Sequence, residues 1–183
     1  MITENNFSLN SKYDAVLIGA GIMSASLALL IKEVCPEINI LVIEQLSTSA
    51  QESSGAFNNA GTGHAANCEL NYTPLDNNNL INLEKALEIN NSFEQSLNLW
   101  AYLYDKEYID IKKFLTFVPH ISFVNNSKDV DFLKRRFELM KKCREFQDME
   151  FTTSHHEISN WSPLIMKDRD KEQKIAATRL RRG

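Results

Sequence analysis

Apolar and polar positions fall into blocks along this chain, and each block has a period that predicts an element. Ala15-Val16-Leu17-Ile18 is a short apolar run, read as a strand, and it runs into the glycine turn Gly19-Ala20-Gly21. Leu27, Leu30, Ile31 and Val34 then recur at helical spacing, which predicts a helix over 22–34 that Pro36 stops. A second apolar run, Ile38 to Ile43, reads as another strand and ends in Glu44. After Pro74 the cluster Asp76-Asn77-Asn78-Asn79 marks a turn. Leu83, Leu87, Phe93, Leu97, Trp100 and Tyr104 predict a long amphipathic helix over 83–104. A strand over 117–124 follows, with Pro119 favouring an edge or a strand start. Ser127 can cap a helix over 128–146, with Val130, Leu133, Phe137 and Met140 on its apolar face. A short strand at 149–151 and a short helix at 157–161 complete the pattern, and no internal repeat is visible.

The pattern divides the chain at Pro74. Residues 1–12 read as a disordered leader, 13–74 as a dinucleotide-binding segment and 75–166 as part of a second domain. Residues 167–183 read as a solvated basic tail, because seven basic residues face three acids between Lys167 and Arg182.

The glycine turn carries the first candidate chemistry. Between a strand and a helix, Gly19 permits the tight turn, Gly21 lets backbone approach a pyrophosphate, and Ser24 takes the third small position where helix and strand pack. The N–H groups of Ala20, Ile22 and Met23 lie at the positive end of the new helix, which favours an anion. Glu44, at the end of the second strand, stands near the spacing expected of a carboxylate that holds a ribose hydroxyl. The stretch from Glu52 to His64 is rich in small hydrogen-bonding residues, and Ser53, Ser54, Asn59, Gly61, Thr62 and Gly63 can line a polar ligand. Such a cluster is equally the composition of a solvated loop. Five of the six glycines precede His64, so special backbone geometry is concentrated in this first third.

Longer motifs carry a resemblance. Gly-Ala-Gly-Ile-Met-Ser-Ala at 19–25, Asn-Asn-Ala-Gly-Thr-Gly-His at 58–64 and Cys-Glu-Leu-Asn-Tyr-Thr-Pro at 68–74 resemble the amino-terminal part of the malate:quinone oxidoreductases. Lys-Ala-Leu-Glu-Ile-Asn at 85–90, Leu99-Trp100-Ala101-Tyr102-Leu103 and Val-Pro-His-Ile-Ser-Phe-Val at 118–124 extend it. The resemblance implies an α/β fold: a Rossmann-like FAD-binding βαβ segment, then part of an α+β substrate-binding domain, the whole incomplete. It implies FAD as cofactor, oxidation of malate to oxaloacetate, transfer of electrons to quinone, and peripheral association with the cytoplasmic face of the bacterial inner membrane. In the polar loop His64 can face the flavin or the substrate, or only hydrogen-bond backbone; Asn71 and Tyr72 offer donors just after it, and with His120 these are the candidates for the substrate, while the sequence shows no catalytic base. Family members are more than twice as long. Arg181 and Arg182 stand where the family has an acidic pair. A truncated or frame-shifted gene is therefore expected, the alternative being that these residues are a fragment of a longer chain.

Composition adds limits. With 43% hydrophobic and 24% charged residues the chain has the make-up of a folded protein. A net charge of −4 gives no general affinity for nucleic acid. No stretch reaches the length of a membrane span, and the first residues lack the pattern of a secretory signal. Cys35, Cys68 and Cys143 form no metal, redox or disulfide motif, which fits a reducing cytoplasm. His120, in an apolar strand, is a half-buried histidine or a donor to a dicarboxylate. Adjacent His155 and His156 diverge, so no metal site is expected there. Lys134, Arg135, Arg136, Lys141, Lys142 and Arg144 read as the basic outer face of the 128–146 helix, either solvated or lying on an anionic membrane. Two further readings stay open: an inactive product with residual dinucleotide binding, and an NAD-dependent dehydrogenase.

Overall fold

The computed structural model describes residues 12–181, so most of the expected leader lies outside the described residues. The chain is α/β and divides into two compact units, residues 1–62 and 63–183.

The first unit is a β–α–β arrangement. Strand β1 (Ala15–Ile18) pairs in parallel with β2 (Ile40–Ile43), Ala15 opposite Ile40 through Ile18 opposite Ile43. Helix α1 (Ile22–Val34) connects them over the span its periodicity predicts, ending before Pro36. No side chain of this unit is fully buried among the described residues. Ile18, Met23 and Val34 are 80% exposed or more. Two strands and one helix cannot close a core, because a parallel sheet needs cover on both faces.

The second unit has a three-stranded antiparallel sheet, ordered β3 (His120–Val124), β5 (Ala176–Leu180), β4 (Glu150–Thr152). Among the described residues four α-helices belong to it: α2 (Glu84–Asp105), α3 (Ser127–Met140), α4 (His155–Trp161) and α5 (Pro163–Met166). Residues 63–74, grouped by the sequence with the dinucleotide segment, pack in this unit. The Asn90 side chain donates to the Ala65 carbonyl and the Ser122 hydroxyl to that of Cys68, which ties the stretch to α2 and β3.

The basic tail is not a tail. Residues 176–180 of it are β5, the central strand, with Ala176, Ala177, Thr178 and Leu180 buried. Counting charge hides this, because the strand's own core residues are small. Ala176 packs with Val124 and Leu133 on one face, Ala177 with Ile158 and Ile175 on the other. Consecutive strand residues point to opposite faces, and alanine lets packing elements approach both. Arg179 is spent internally: its Nη2 donates to Glu150 Oε2 at 2.5 Å and its guanidinium lies 4.2 Å from the Trp161 ring centroid.

Helix α3 also departs from its prediction. Asn126, not Ser127, is the cap, its Oδ1 accepting from the Asp129 N–H at 3.0 Å. The helix stops at Met140, and a single 3-10 turn over Arg144–Phe146 follows. Phe146 is fully buried with Met140 and Met149. Six residues of continued helix, at about 100° each, would have turned position 146 well away from the face that carries Met140. The chain breaks the helix and brings Phe146 back. Arg136, expected on the basic outer face, is fully buried. It lies three residues beyond Leu133, on the same stripe.

Candidate functional site

In the first unit the turn 19–21 is fixed by β2 and by the loop behind it. Gly19 has φ +88°, in the left-handed region where only glycine is comfortable, and its N–H donates to the Ile43 carbonyl at 2.7 Å. Gly21 is extended, and its requirement is space. A Cβ there would lie 3.2 Å from Ser54 Oγ. That hydroxyl accepts the Ile22 N–H at 2.9 Å, at the start of α1, where Ser24 is half-buried and Met23 is exposed. Glu44 accepts the Ala20 N–H on Oε2 at 2.7 Å and the Leu46 N–H on Oε1 at 3.0 Å. These two bonds, Ala20 first, hold its carboxyl below the usual carboxylate range. Each oxygen keeps a further lone pair for an outside donor.

The polar loop after β2 is held by its own asparagines. Asn58 Nδ2 donates to the carbonyls of Gln51 and Glu52, and Asn59 Nδ2 to those of Ser53 and Gly55. Asn59 Oδ1 accepts the Gly61 N–H at 2.7 Å, with Gly61 at φ +60°. Asn59 is thus occupied with the loop's backbone, while Ser53 and Thr62 have exposed side chains.

In the second unit Gly63 has a packing reason. A Cβ there would sit 2.3 Å from the Phe93 ring of α2. The next residue, His64, is half exposed and places Nδ1 3.0 Å from Glu69 Oε1. Burial alone would raise the Glu69 carboxyl, but hydrogen bonds from its own N–H, His64 and the Cys68 N–H outweigh it and hold the group low. Asn71 is exposed in a 3-10 turn over Leu70–Tyr72. Tyr72 packs on the core beside Leu83 and Leu87, with Lys85 Nζ 5.3 Å from its ring centroid. So His64, Asn71 and Tyr72 share one loop, and His120 lies apart at the start of β3, its Nδ1 buried without a partner among the described residues.

Beneath that loop lie residues to which the sequence assigned no part in a site. Arg136 Nε donates to Thr73 Oγ1 at 2.9 Å and Nη2 to the carbonyls of Ala66 and Asn67 at 3.4 and 3.5 Å. Burial pulls its guanidinium down to about 10, against the attraction of Cys68 and Glu69. Burial also pushes the Cys68 thiol up to about 11, helped by the Glu69 charge beside it. Helical phase was the available signal: Arg136 follows Leu133 by three residues, and Asn90 follows Ala86 by four, each on a buried stripe. Among the described residues, no group of three or more His, Cys, Asp or Glu is placed to hold a metal ion.

The sequence model of the family described as Malate:quinone oxidoreductase (Mqo) matches residues 11–183. The chain belongs to the malate:quinone oxidoreductase family. A relative from Prochlorococcus marinus strain MIT 9515, named "Probable malate:quinone oxidoreductase", is 59% identical over 183 residues, all of this chain and 37% of its own length. A relative of the same name from strain MIT 9312 is 60% identical over 181 residues, 99% of this chain and 36% of its own. The chain therefore corresponds to an amino-terminal portion of a malate:quinone oxidoreductase and spans little more than a third of these relatives.

Proposed function

We propose that this chain is the FAD-binding start of a malate:quinone oxidoreductase, joined to part of its substrate domain. The observation that carries the reading is the β1–turn–α1–β2 unit with Glu44 beside the turn, read as Rossmann-like. The donor set fits the ADP half of FAD. The first turn of α1 offers N–H groups that have no partner within the helix, where a phosphate is favoured. Gly21 leaves the room a side chain would fill, and Glu44 keeps acceptors for a ribose diol. Ser53, Ser54, Asn59, Gly61, Thr62 and Gly63 are proposed to border the route away from the phosphates. FAD, when bound, supplies a hydride acceptor for malate and a donor of electrons to quinone. His64, Asn71 and His120 are proposed to face malate, with Tyr72 supporting their loop. The enzyme of which this is part is proposed to work peripherally on the cytoplasmic face of the inner membrane, and the 183-residue chain alone is proposed to bind FAD weakly without turnover.

Equilibrium binding tests this. FAD should bind in preference to NADP, because Glu44 repels a 2′-phosphate. Gly21→Val should abolish binding, and Glu44→Arg should weaken the adenosine end. A preference for NADP, or unchanged FAD affinity in a folded Gly21→Val protein, overturns the assignment.

A further inference from the structure

The polar side chains buried beneath residues 65–73 are spent on the backbone of that loop. Asn90 holds the carbonyl of residue 65, Arg136 those of 66 and 67, and Ser122 that of 68, while Arg136 Nε reaches Thr73 at the far end. Three separate elements thus converge on one stretch of main chain. Burying a guanidinium is costly, and this one keeps Nη1 without a partner among the described residues. A core built for stability alone would put an apolar residue at that position on α3. What the cradle fixes is Glu69, both of whose oxygens are engaged: Oε1 with His64 Nδ1 at 3.0 Å, Oε2 with the Cys68 N–H at 3.3 Å. Glu69, held low, is ionised at neutral pH and only accepts. The proton between the two groups therefore sits on His64 Nδ1, and the neutral tautomer this contact selects carries its lone pair on Nε2. The His64 side chain is 53% exposed.

We propose that His64 is a preset hydrogen-bond acceptor at Nε2 for the hydroxyl of a 2-hydroxy acid, and that Arg136 is the positioning residue that fixes its loop. The identity of the hydroxyl donor rests on the function proposed above. The tautomer and the part played by Arg136 do not.

Long-range nitrogen–proton spectra of the 183-residue chain with labelled histidine, recorded just above neutral pH, test it. One ring, lost in His64→Gln, should carry its proton on Nδ1. Glu69→Ala should return that ring to a mixture of tautomers. Arg136→Met should do the same, and Arg136→Lys, which keeps a cationic donor for the loop carbonyls, should restore the bias. Should Arg136→Met fail to fold, Thr73→Val removes the Nε contact together with the Thr73 hydroxyl's bond to the Leu70 carbonyl, and is expected to loosen the same ring. Excess malate added to the FAD-loaded chain should shift the Nε2 resonance, and succinate, which lacks the hydroxyl, should not. A wild-type ring protonated at Nε2, or identical responses to malate and succinate, overturns the acceptor. An unchanged tautomer in a folded Arg136→Met or Thr73→Val protein overturns the positioning. FAD affinity measured on the same samples is a separate readout: its absence with the tautomer intact counts against the proposed function alone.

Discussion

A methyl group on Gly63 would collide with the Phe93 ring, whereas one on Gly19 would meet nothing and still be strained by its backbone. These glycines look alike in the sequence and are required for different reasons. Gly63→Ala should cost about 1–3 kcal/mol in urea unfolding of the second unit, the usual price of forcing extra volume into a packed site. Phe93→Leu in the same chain should recover part of that loss, and a neutral Gly63→Ala would show that the ring moves freely. Cys68 gives a pH dependence. Its folded value, about 11, lies above its usual value of 9.0, so the folded state keeps the thiol proton longer. The stability this contributes is fully present below about 9 and is lost as pH rises through about 11. Unfolding midpoints should fall across that window, and Cys68→Ser should flatten the slope. Alkylation should reach exposed Cys35 well before Cys68.

At the level of elements, Ser122 and Thr178 face each other across β3 and β5, and they differ in one respect. The Ser122 hydroxyl donates to the Cys68 carbonyl at 2.7 Å, while Thr178 Oγ1 is buried without a partner among the described residues. Ser122→Ala should therefore cost about 1–2 kcal/mol, and Thr178→Val, which removes an unpaired hydroxyl at constant shape, should be neutral or stabilising by about 1 kcal/mol. Equal losses from both would mean that Thr178 has a partner in solution. The elements themselves were partly legible. Helix α1 ends where its periodicity and Pro36 say, and α2 lies within one residue of its predicted span. Both patterns are local, and a helix satisfies its own backbone. The cap of α3, the turn that buries Phe146 and the whole of β5 were not legible. Ala176-Ala177-Thr178 has little strand character until β3 and β4 pair with it on either side.

The whole molecule has two units of unequal completeness. The second has three buried clusters around its sheet, and the first has no buried side chain among the described residues. Hydrogen exchange should therefore be much faster in β1 and β2 than in β5, because protection follows buried contacts. A dye that binds apolar surface should bind the chain, since Ile18, Met23 and Val34 are open. Equal protection of the two sheets would show that the first unit is covered in solution. Malate-dependent quinone reduction is not expected from the 183-residue chain. Its appearance would mean that these residues hold a whole active site. By itself the sequence determined the family, the β–α–β order, and the glycine turn with Glu44 near the expected spacing, because each is written in contiguous or near-contiguous residues. Only the tertiary structure decided that Arg136 is buried, that Glu69 orients His64, that Gly63 serves Phe93 and that a basic-looking end is a central strand. Each of these depends on which distant residue packs alongside, and neither hydrophobic period nor charge count records that.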